Sequence, residues 1–213
     1  MSAGVGILGG TFDPIHYGHL RLAAEVRAAL GLAEVRLIPA GNPYHRSRVV
    51  ASAADRLAMS ELAVAEFPGL AVDPREARQT TPAYTVETLT ALRTELGTRP
   101  LLLLVGADTF LSLPAWRRWT ELFDLAHVVV VARPGWTLPD PPPSPLGEVW
   151  AARLTADRGL LSTPAGRIYV QPVTPHAISA TAIREMVRAG RRPDGLLPPA
   201  VVAYIETRSL YLP

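Results

Sequence analysis

The sequence predicts an α/β fold, a doubly wound parallel sheet with a C-terminal helical portion. Short apolar runs alternate with segments of helical periodicity along most of the chain, which is typical of this class. Two of the runs, Leu101–Val105 and Val128–Ala132, contain only apolar residues, as expected of central strands buried on both faces. Two runs end in the glycine turns Gly9-Gly10 and Gly106-Ala107-Asp108, at the sheet edge where ligands bind.

Three strands and three helices are expected in the first half of the chain. The strands are Val5–Leu8, Val35–Ile38 and Leu70–Val72, and the helices run from His16 to about Leu30, from Ser52 to about Glu66 and from Val86 to Leu96. The first helix carries one buried stripe over Leu20–Leu30 and ends at Gly31. Ser52 and Asp55 have the spacing of a capping box, and Gly97 closes the third helix.

The second half of the chain continues the alternation. Its strands are Leu101–Val105, Val128–Ala132 and one near Ile168–Gln171, and its helices cover Trp116–Phe123, a stretch from Leu146, the residues from Ile178 to Gly190 and a last stretch after Pro198-Pro199. The prolines of segment 138–145 predict a stiff, extended surface loop. We expect residues 1–213 to form a single domain, with a C-terminal motif and helices in segment 178–213.

Composition excludes several classes of protein. With 48% hydrophobic and 19% charged residues, the chain can bury an ordinary core. No apolar run has the roughly 18 residues that a membrane span needs, and Met1–Gly4 lacks the pattern of a signal peptide, so a cytoplasmic location is expected. The net charge of +2 and the lack of a basic stripe argue against a nucleic-acid partner.

The chain has no cysteine and no lysine, so all 21 of its Lys+Arg residues are arginine. The absence of cysteine excludes disulfides, a cysteine nucleophile and cysteine-ligated zinc. The absence of lysine excludes a Walker-type phosphate loop and Schiff-base chemistry. Any phosphate clamp must therefore be built from arginine, histidine and backbone N–H groups.

The stretch Gly9–His19 offers such a clamp. Its glycines allow a ligand to approach the backbone closely, and the helix that follows presents free N–H groups and a positive dipole end. His16 and His19 are three residues apart, so both side chains lie on one face of the first turn. In a 3-2-1-4-5 strand order the first and fourth strands are neighbours, which places Gly9-Gly10 beside Gly106-Ala107-Asp108.

Several segments of the chain resemble the nucleotidyltransferase superfamily. Gly9–His19 (Gly-Gly-Thr-Phe-Asp-Pro-Ile-His-Tyr-Gly-His) resembles its H-x-G-H signature and, in its longer form, the bacterial nicotinate-nucleotide adenylyltransferases. Further similar segments are Pro82–Leu89, Gly106-x-Asp108 with Trp116, Arg133-Pro134-Gly135 and Ile178–Arg184, the last resembling a second ATP motif. The resemblance covers nearly the whole chain. It implies a Rossmann-like fold and transfer of the adenylyl group of ATP to nicotinate mononucleotide, giving deamido-NAD and pyrophosphate in NAD biosynthesis.

The resemblance also assigns roles to the matching residues. The side chains expected on the ATP phosphates are His16, His19, Arg46 and Arg184, with His19 on the α-phosphate. The residues expected to line the nucleotide are Gly9, Gly10, Thr11, Phe12, Gly106, Asp108, Ile178, Ser179 and Thr181. The residues expected to bind the acceptor are Tyr84 and Thr85 through backbone N–H groups, Trp116 by stacking on the pyridine ring, and Arg133. No residue is assigned to a metal, because Mg²⁺ is expected to bind mainly through the ATP phosphates.

Some of these residues have a second interpretation. Asp108 is equally suited to capping a helix, and Ser179 and Thr181 are suited to capping the helix that follows them. Trp116 has the spacing of a core residue, which is also our prediction for Trp119. Arg46 stands where the family often has lysine, and arginine keeps the charge while changing the geometry. Of the other histidines, we expect His127 and His176 to be structural and His45 to contact phosphate.

The chemistry of the implied reaction is compatible with these residues. A mononucleotide phosphate is largely dianionic at neutral pH, so the attack needs no general base. It needs alignment on the α-phosphorus and relief of negative charge, which imidazole, guanidinium and backbone donors supply.

Three competing functions are considered, and the sequence argues against two of them. Another adenylyl- or cytidylyltransferase would use nicotinamide mononucleotide, phosphopantetheine or a phospho-alcohol. A class I aminoacyl-tRNA synthetase would need a lysine-bearing second motif and tRNA-binding domains, which are missing. A nucleotide-sensing module would bind ATP without turnover, and His16 and His19 argue against it. The expected partners are ATP and nicotinate mononucleotide, with no nucleic acid and no membrane, in a monomer or homo-oligomer.

Overall fold

The computed structural model describes residues 3–41, 50–132, 139–157, 159 and 162–212, which form six strands and eight α-helices. The strands are β1 (Val5–Gly10), β2 (Glu34–Pro39), β3 (Leu70–Val72), β4 (Leu101–Gly106), β5 (His127–Ala132) and β6 (Ile168–Pro172). The helices are α1 (Tyr17–Leu30), α2 (Ala53–Val64), α3 (Thr85–Leu96), α4 (Ala107–Leu111), α5 (Leu122–Leu125), α6 (Leu146–Arg153), α7 (Ala180–Arg188) and α8 (Pro199–Thr207).

The strands form one sheet in the order β3-β2-β1-β4-β5-β6. β1 pairs with β4 in parallel, with Val5 opposite Leu101, and β4 pairs in parallel with β5, which pairs in parallel with β6. This confirms the predicted doubly wound parallel sheet and the 3-2-1-4-5 order, to which β6 adds an edge strand. The apolar runs of β4 and β5 are buried along their length, as their composition predicted.

Local sequence signals set several helix ends. Ser52 caps α2, where its hydroxyl oxygen accepts from the Asp55 N–H at 3.1 Å. Gly31, Gly97 and Gly190, which follow α1, α3 and α7, have φ values of +62°, +57° and +70°, a region that favours glycine. The described part of the proline-rich loop, residues 139–145, contains no helix or strand.

The predicted helix over Trp116–Phe123 is wrong. The chain forms 3₁₀ turns at Leu113–Ala115 and Trp119–Glu121, followed by the short α5. Arg118 lies in the left-handed region with φ of 52°, which an α-helix cannot accommodate, and its side chain donates to Glu121 at 2.8 Å. Trp119 is half-buried and packs edge-on against Phe123, so it borders the core rather than filling it. Helix α4 directly follows the second glycine turn, where the sequence indicates a helix only through the second interpretation of Asp108.

The chain divides into two compact units. The first comprises Met1–Leu8, Val26–Val35 and Tyr84–Pro175. In its core, Phe110 of α4 and Phe123 of α5 are buried with β4 and β5. Arg93 of α3 supports this unit by donating to the carbonyls of Leu125 at 3.1 Å, Gly97 at 2.8 Å, Arg99 at 2.7 Å and Pro164 at 2.8 Å.

The second unit comprises Gly9–Glu25, Arg36–Ala83 and His176–Pro213. Helices α2 and α8 pack on each other, with Met59, Val201 and Ile205 almost wholly buried. Asp55 of α2 accepts from Tyr204 of α8 at 3.0 Å. The prediction of a single domain stays a prediction. No helix among the described residues is long and apolar enough to cross a bilayer.

Candidate active site

The turn that follows β1 has a constrained backbone. Phe12 is buried and has a φ of +50°, a left-handed conformation that is uncommon outside glycine. A Cβ atom placed on Gly10 would lie 2.7 Å from the Phe12 ring, so the ring can close over residue 10 only because that residue is glycine. At Gly9 an added Cβ would have no neighbour within 4 Å among the described atoms, which leaves its backbone open to a ligand.

The two histidines of the motif are stacked on each other. Their ring centroids are 3.7 Å apart with an interplanar angle of 21°, and the His16 ring is buried with 5% of the residue exposed. The His16 backbone N–H donates to Nδ1 of His19 over a long 3.4 Å. Because Nδ1 accepts this bond, a neutral His19 carries its proton on Nε2, where it can be donated to an anion. The edge of the Phe12 ring supports His19 at 5.1 Å.

Close packing against His16 explains why residue 18, between the two histidines, is glycine. A Cβ atom on Gly18 would lie 3.0 Å from both Cε1 and Nδ1 of His16, so an alanine would press on a buried ring. The same Cβ would lie 3.7 Å from Cβ of Ile178, the residue that opens the C-terminal motif. The first and last motifs of the chain therefore meet at Gly18, within the second unit.

Arg184 of the C-terminal motif contacts the turn that follows β1. Ser179 caps α7, where its hydroxyl oxygen accepts from the Ala182 N–H at 3.2 Å. The guanidinium of Arg184 donates from Nη1 to the Asp13 carbonyl at 2.6 Å and from Nη2 to the Thr181 hydroxyl at 3.2 Å. Two imidazoles, one guanidinium and several backbone N–H groups are thus gathered in the second unit, a set that suits a polyanionic phosphate ligand.

Asp13 ties distant parts of the second unit to this turn. Its buried carboxylate accepts from the Val50 N–H at 2.8 Å, the Ala51 N–H at 3.1 Å and the Tyr211 hydroxyl at 2.8 Å. Burial first, and then the Asp13 charge, raise the pKa of Tyr211, so its phenol keeps its proton and donates. Nη1 of Arg184 lies 4.0 Å from the same carboxylate.

Arg56 holds the turn from inside α2. Only 1% of this residue is exposed, and its guanidinium donates to the carbonyls of Thr11 at 2.7 Å, Gly41 at 2.6 Å and Ala51 at 3.3 Å. Burial lowers the pKa of Arg56, and the charge of Asp13 opposes that shift. The sequence does not indicate these roles, because Thr11 lies 45 positions from Arg56 and Asp13 lies 198 positions from Tyr211.

The remaining predicted nucleotide contacts lie in the first unit. Gly106, not Asp108, is the N-cap of α4, so the capping interpretation of Asp108 is wrong. Asp108 is exposed on the first turn of α4. A Cβ atom on Gly106 would lie 2.7 Å from Oδ1 of Asp108, which explains the glycine in the Gly-x-Asp segment.

The predicted acceptor residues also lie in the first unit. Tyr84 is the N-cap of α3, and Thr85 is the first residue of that helix. The guanidinium of Arg117 lies 4.6 Å above the Tyr84 ring and 3.6 Å from Glu87. Trp116 is half-buried, which leaves part of its ring surface accessible.

Of the other histidines, His127 has a fully buried structural environment. Its Nε2 lies 2.8 Å from the Thr163 carbonyl, and its Nδ1 accepts from the Arg167 N–H at 3.1 Å. Burial is the main cause that lowers the pKa of His127, so this ring is neutral. Arg46, His45 and Arg133 lie outside the described residues.

Comparison with known proteins adds a family assignment. The cytidylyltransferase-like family model matches residues 7–186. A curated relative from Aeromonas salmonicida is 49% identical over 212 residues, covering 99% of this chain and 98% of the relative. A second relative, from Laribacter hongkongensis, is 50% identical over 208 residues, which cover 97% of this chain and 94% of the relative. Both bear the name "Probable nicotinate-nucleotide adenylyltransferase".

A solved structure supports the fold. The nicotinic acid mononucleotide adenylyltransferase of Plasmodium falciparum, complexed with NaAD, superposes with a TM-score of 0.71 at 15% identity. The match covers 98% of this chain and 97% of that chain, so the two proteins share their architecture throughout.

Proposed function

Because the chain belongs to the nicotinate-nucleotide adenylyltransferases of the cytidylyltransferase-like family, we propose that it transfers the adenylyl group of ATP to nicotinate mononucleotide. A phosphate oxygen of the mononucleotide attacks the α-phosphorus of ATP, and the bond to the bridging oxygen of the β-phosphate breaks. The products are deamido-NAD and pyrophosphate. The observation that carries this proposal is the stacked His16–His19 pair, which follows the turn whose Asp13 carbonyl binds the guanidinium of Arg184, in a chain without lysine.

The residues of the second unit act on the phosphates. His19 donates from Nε2 to the α-phosphate, where negative charge must be relieved as the acceptor oxygen approaches. The buried His16 stacks on the His19 ring and so orients it, and its own contact with the phosphates stays a prediction. Arg184 exchanges part of its contact with Asp13 for a contact with the β- or γ-phosphate. The positive charge of its guanidinium then stabilises the leaving pyrophosphate. None of these groups abstracts a proton, since the acceptor is already an anion.

The proposed reaction uses Mg²⁺ that binds together with ATP. Among the described residues, no three acidic or histidine side chains converge to hold a metal ion. The donors gathered near the turn are cations and N–H groups, which suit phosphate oxygens. The ion would bind to the triphosphate and neutralise its charge.

In this proposal, residues of the first unit bind the acceptor. The N–H groups at the start of α3, next to Tyr84 and Thr85, suit the carboxylate that distinguishes nicotinate from nicotinamide. Trp116 has the ring surface to stack on the pyridine. Asp108, also in this unit, has an exposed carboxylate that can accept from a ribose hydroxyl of ATP. The roles of Arg46 and Arg133 stay predictions, as does the cytoplasmic location.

A panel of acceptors tests the function. Purified protein is incubated with ATP, Mg²⁺ and one acceptor, and the release of pyrophosphate is measured. We expect nicotinate mononucleotide to be used best, nicotinamide mononucleotide less well and phosphopantetheine not at all. Preference for nicotinamide mononucleotide would favour the second candidate acceptor. No turnover with any mononucleotide would contradict the enzymatic function and leave a nucleotide-binding module.

A further inference from the structure

Two carbonyl groups of the Gly9–Pro14 turn are occupied from inside the second unit. The Gly10 carbonyl accepts from the Ala40 N–H at 2.9 Å, and the Thr11 carbonyl accepts from Nη1 of Arg56 at 2.7 Å. A carbonyl and the N–H of the next residue belong to one planar trans peptide and point in opposite directions. The N–H groups of Thr11 and Phe12 are therefore turned away from Ala40 and Arg56.

The conformation that these contacts hold is an unfavourable one. Phe12 has a φ of +50°, and a non-glycine residue in this region costs on the order of 1 kcal/mol or more. Such a residue persists only where its surroundings fix it. The surroundings here are the Arg56 guanidinium on one side of Phe12 and the Asp13 carboxylate, with its donors Val50, Ala51 and Tyr211, on the other.

We propose that Arg56 is a positioning residue for adenylyl transfer, which sets the direction of the Phe12 N–H group towards the nucleotide by binding the Thr11 carbonyl from behind. This inference rests on the proposed function. Arg56 does not touch substrate, since its three donors are directed to the carbonyls of Thr11, Gly41 and Ala51 and it is almost wholly buried. The charge of Asp13 opposes the effect of burial, which lowers the pKa of Arg56.

The test compares Arg56→Lys with Arg93→Lys. Both arginines bind main-chain carbonyls through a guanidinium fork, and a single ammonium group cannot span the carbonyls that a fork reaches. Arg93 serves the α3 region of the first unit, so its loss affects stability without affecting the turn. Pyrophosphate release with ATP and nicotinate mononucleotide gives kcat and KM, and thermal unfolding gives Tm.

We expect both substitutions to lower Tm, and only Arg56→Lys to lower kcat, by about tenfold to a hundredfold, since a displacement of about 1 Å has effects of that size. The KM for nicotinate mononucleotide should stay within about twofold of wild type, because Arg56 acts on the nucleotide turn. A kcat of Arg56→Lys within about twofold of wild type overturns the proposal, as does an equal loss of kcat in Arg93→Lys.

A second variant covers the case in which Arg56→Lys does not fold. Tyr211→Phe keeps the buried ring and removes only the hydroxyl that donates to Asp13, on the other side of Phe12. We expect its kcat to fall several-fold, and an unchanged kcat overturns the proposal. The wild-type assay separates the two hypotheses: no turnover by the wild type contradicts the proposed function, whereas an active wild type with unaffected variants contradicts only the role of Arg56.

Discussion

Replacing Gly18 with alanine should damage the active site while leaving the fold intact. The new Cβ would lie 3.0 Å from two atoms of the His16 ring, whereas carbon contacts are most favourable at about 3.5–4.0 Å. The His16 ring cannot move away freely, because it is buried and stacked at 3.7 Å on His19. The ring of His16, and with it Nε2 of His19, must therefore shift by a few tenths of an ångström or more.

The expected change in stability is small because two effects oppose each other. Overpacking of a buried site costs about 1–3 kcal/mol. Gly18 lies in the first turn of α1, where alanine in place of glycine contributes up to about 0.5–1 kcal/mol of stability. The free energy of unfolding should fall by about 0–2 kcal/mol, within the stability of an ordinary domain. The kcat, in contrast, should fall about tenfold to a hundredfold, because a donor to the α-phosphate is misplaced.

A double-mutant cycle with His16→Ala tests whether the Gly18 substitution lowers kcat through the His16 ring. Once the His16 ring is absent, the Cβ of Gly18→Ala has nothing to displace, so the double variant should have the kcat of His16→Ala alone. The assay is pyrophosphate release at saturating ATP, with urea unfolding of each variant as the stability measurement. Wild-type kcat in Gly18→Ala would refute the close contact. Additive losses in the double variant would refute its action through His16.

Three further predictions concern single side chains. His19→Ala should lower kcat by more than about tenfold with little change in Tm, and a smaller loss would exclude Nε2 as the donor to the α-phosphate. Gly9→Ala should unfold at the wild-type urea concentration, because its Cβ meets nothing within 4 Å; its KM for ATP should rise, and an unchanged KM would show that the nucleotide does not pass over residue 9. The unfolding free energy should fall as pH falls below 6.5, the ordinary pKa of histidine, because the unfolded chain binds a proton that buried His127 rejects. His127→Gln should have a shallower slope between about pH 7.5 and 5.5, and equal slopes would contradict this account.

The sequence was sufficient for most of the fold because the decisive signals are local. The apolar runs of β4 and β5, the Ser52 cap and the glycines after α1 and α3 each act within a few residues. The region after β4 was predicted wrongly for the opposite reason. The left-handed conformation of Arg118 depends on its surroundings and leaves no periodic pattern. Continuous apolar spacing therefore indicated one helix where the chain forms a 3₁₀ turn at Trp119–Glu121 and the short α5.

The sequence singles out the two segments that meet in the candidate site, but not the buried residues that hold them in place. Gly9–His19 and Ile178–Arg184 were singled out from the sequence, and the structure brings both segments together at Gly18. Arg56 and Tyr211 could not be found in the same way. Tyr211 reaches Asp13 across 198 positions of sequence, and Arg56 sits in a helix whose pattern predicts only amphipathic packing.

The motif from Gly9 to His19 therefore combines two kinds of residue with different physical demands. Gly9 and His19 leave groups accessible to a ligand, so substitutions there should change kinetics more than stability. Phe12 and Asp13 are buried and fix an unfavourable backbone, which the charged hydrogen bonds of Asp13, worth about 1.5–3 kcal/mol each, can offset. Substitutions of these residues should change stability and kinetics together. Such a turn keeps its shape only while the unit behind it is folded, so the phosphate site and the packing of α2 and α7 depend on each other.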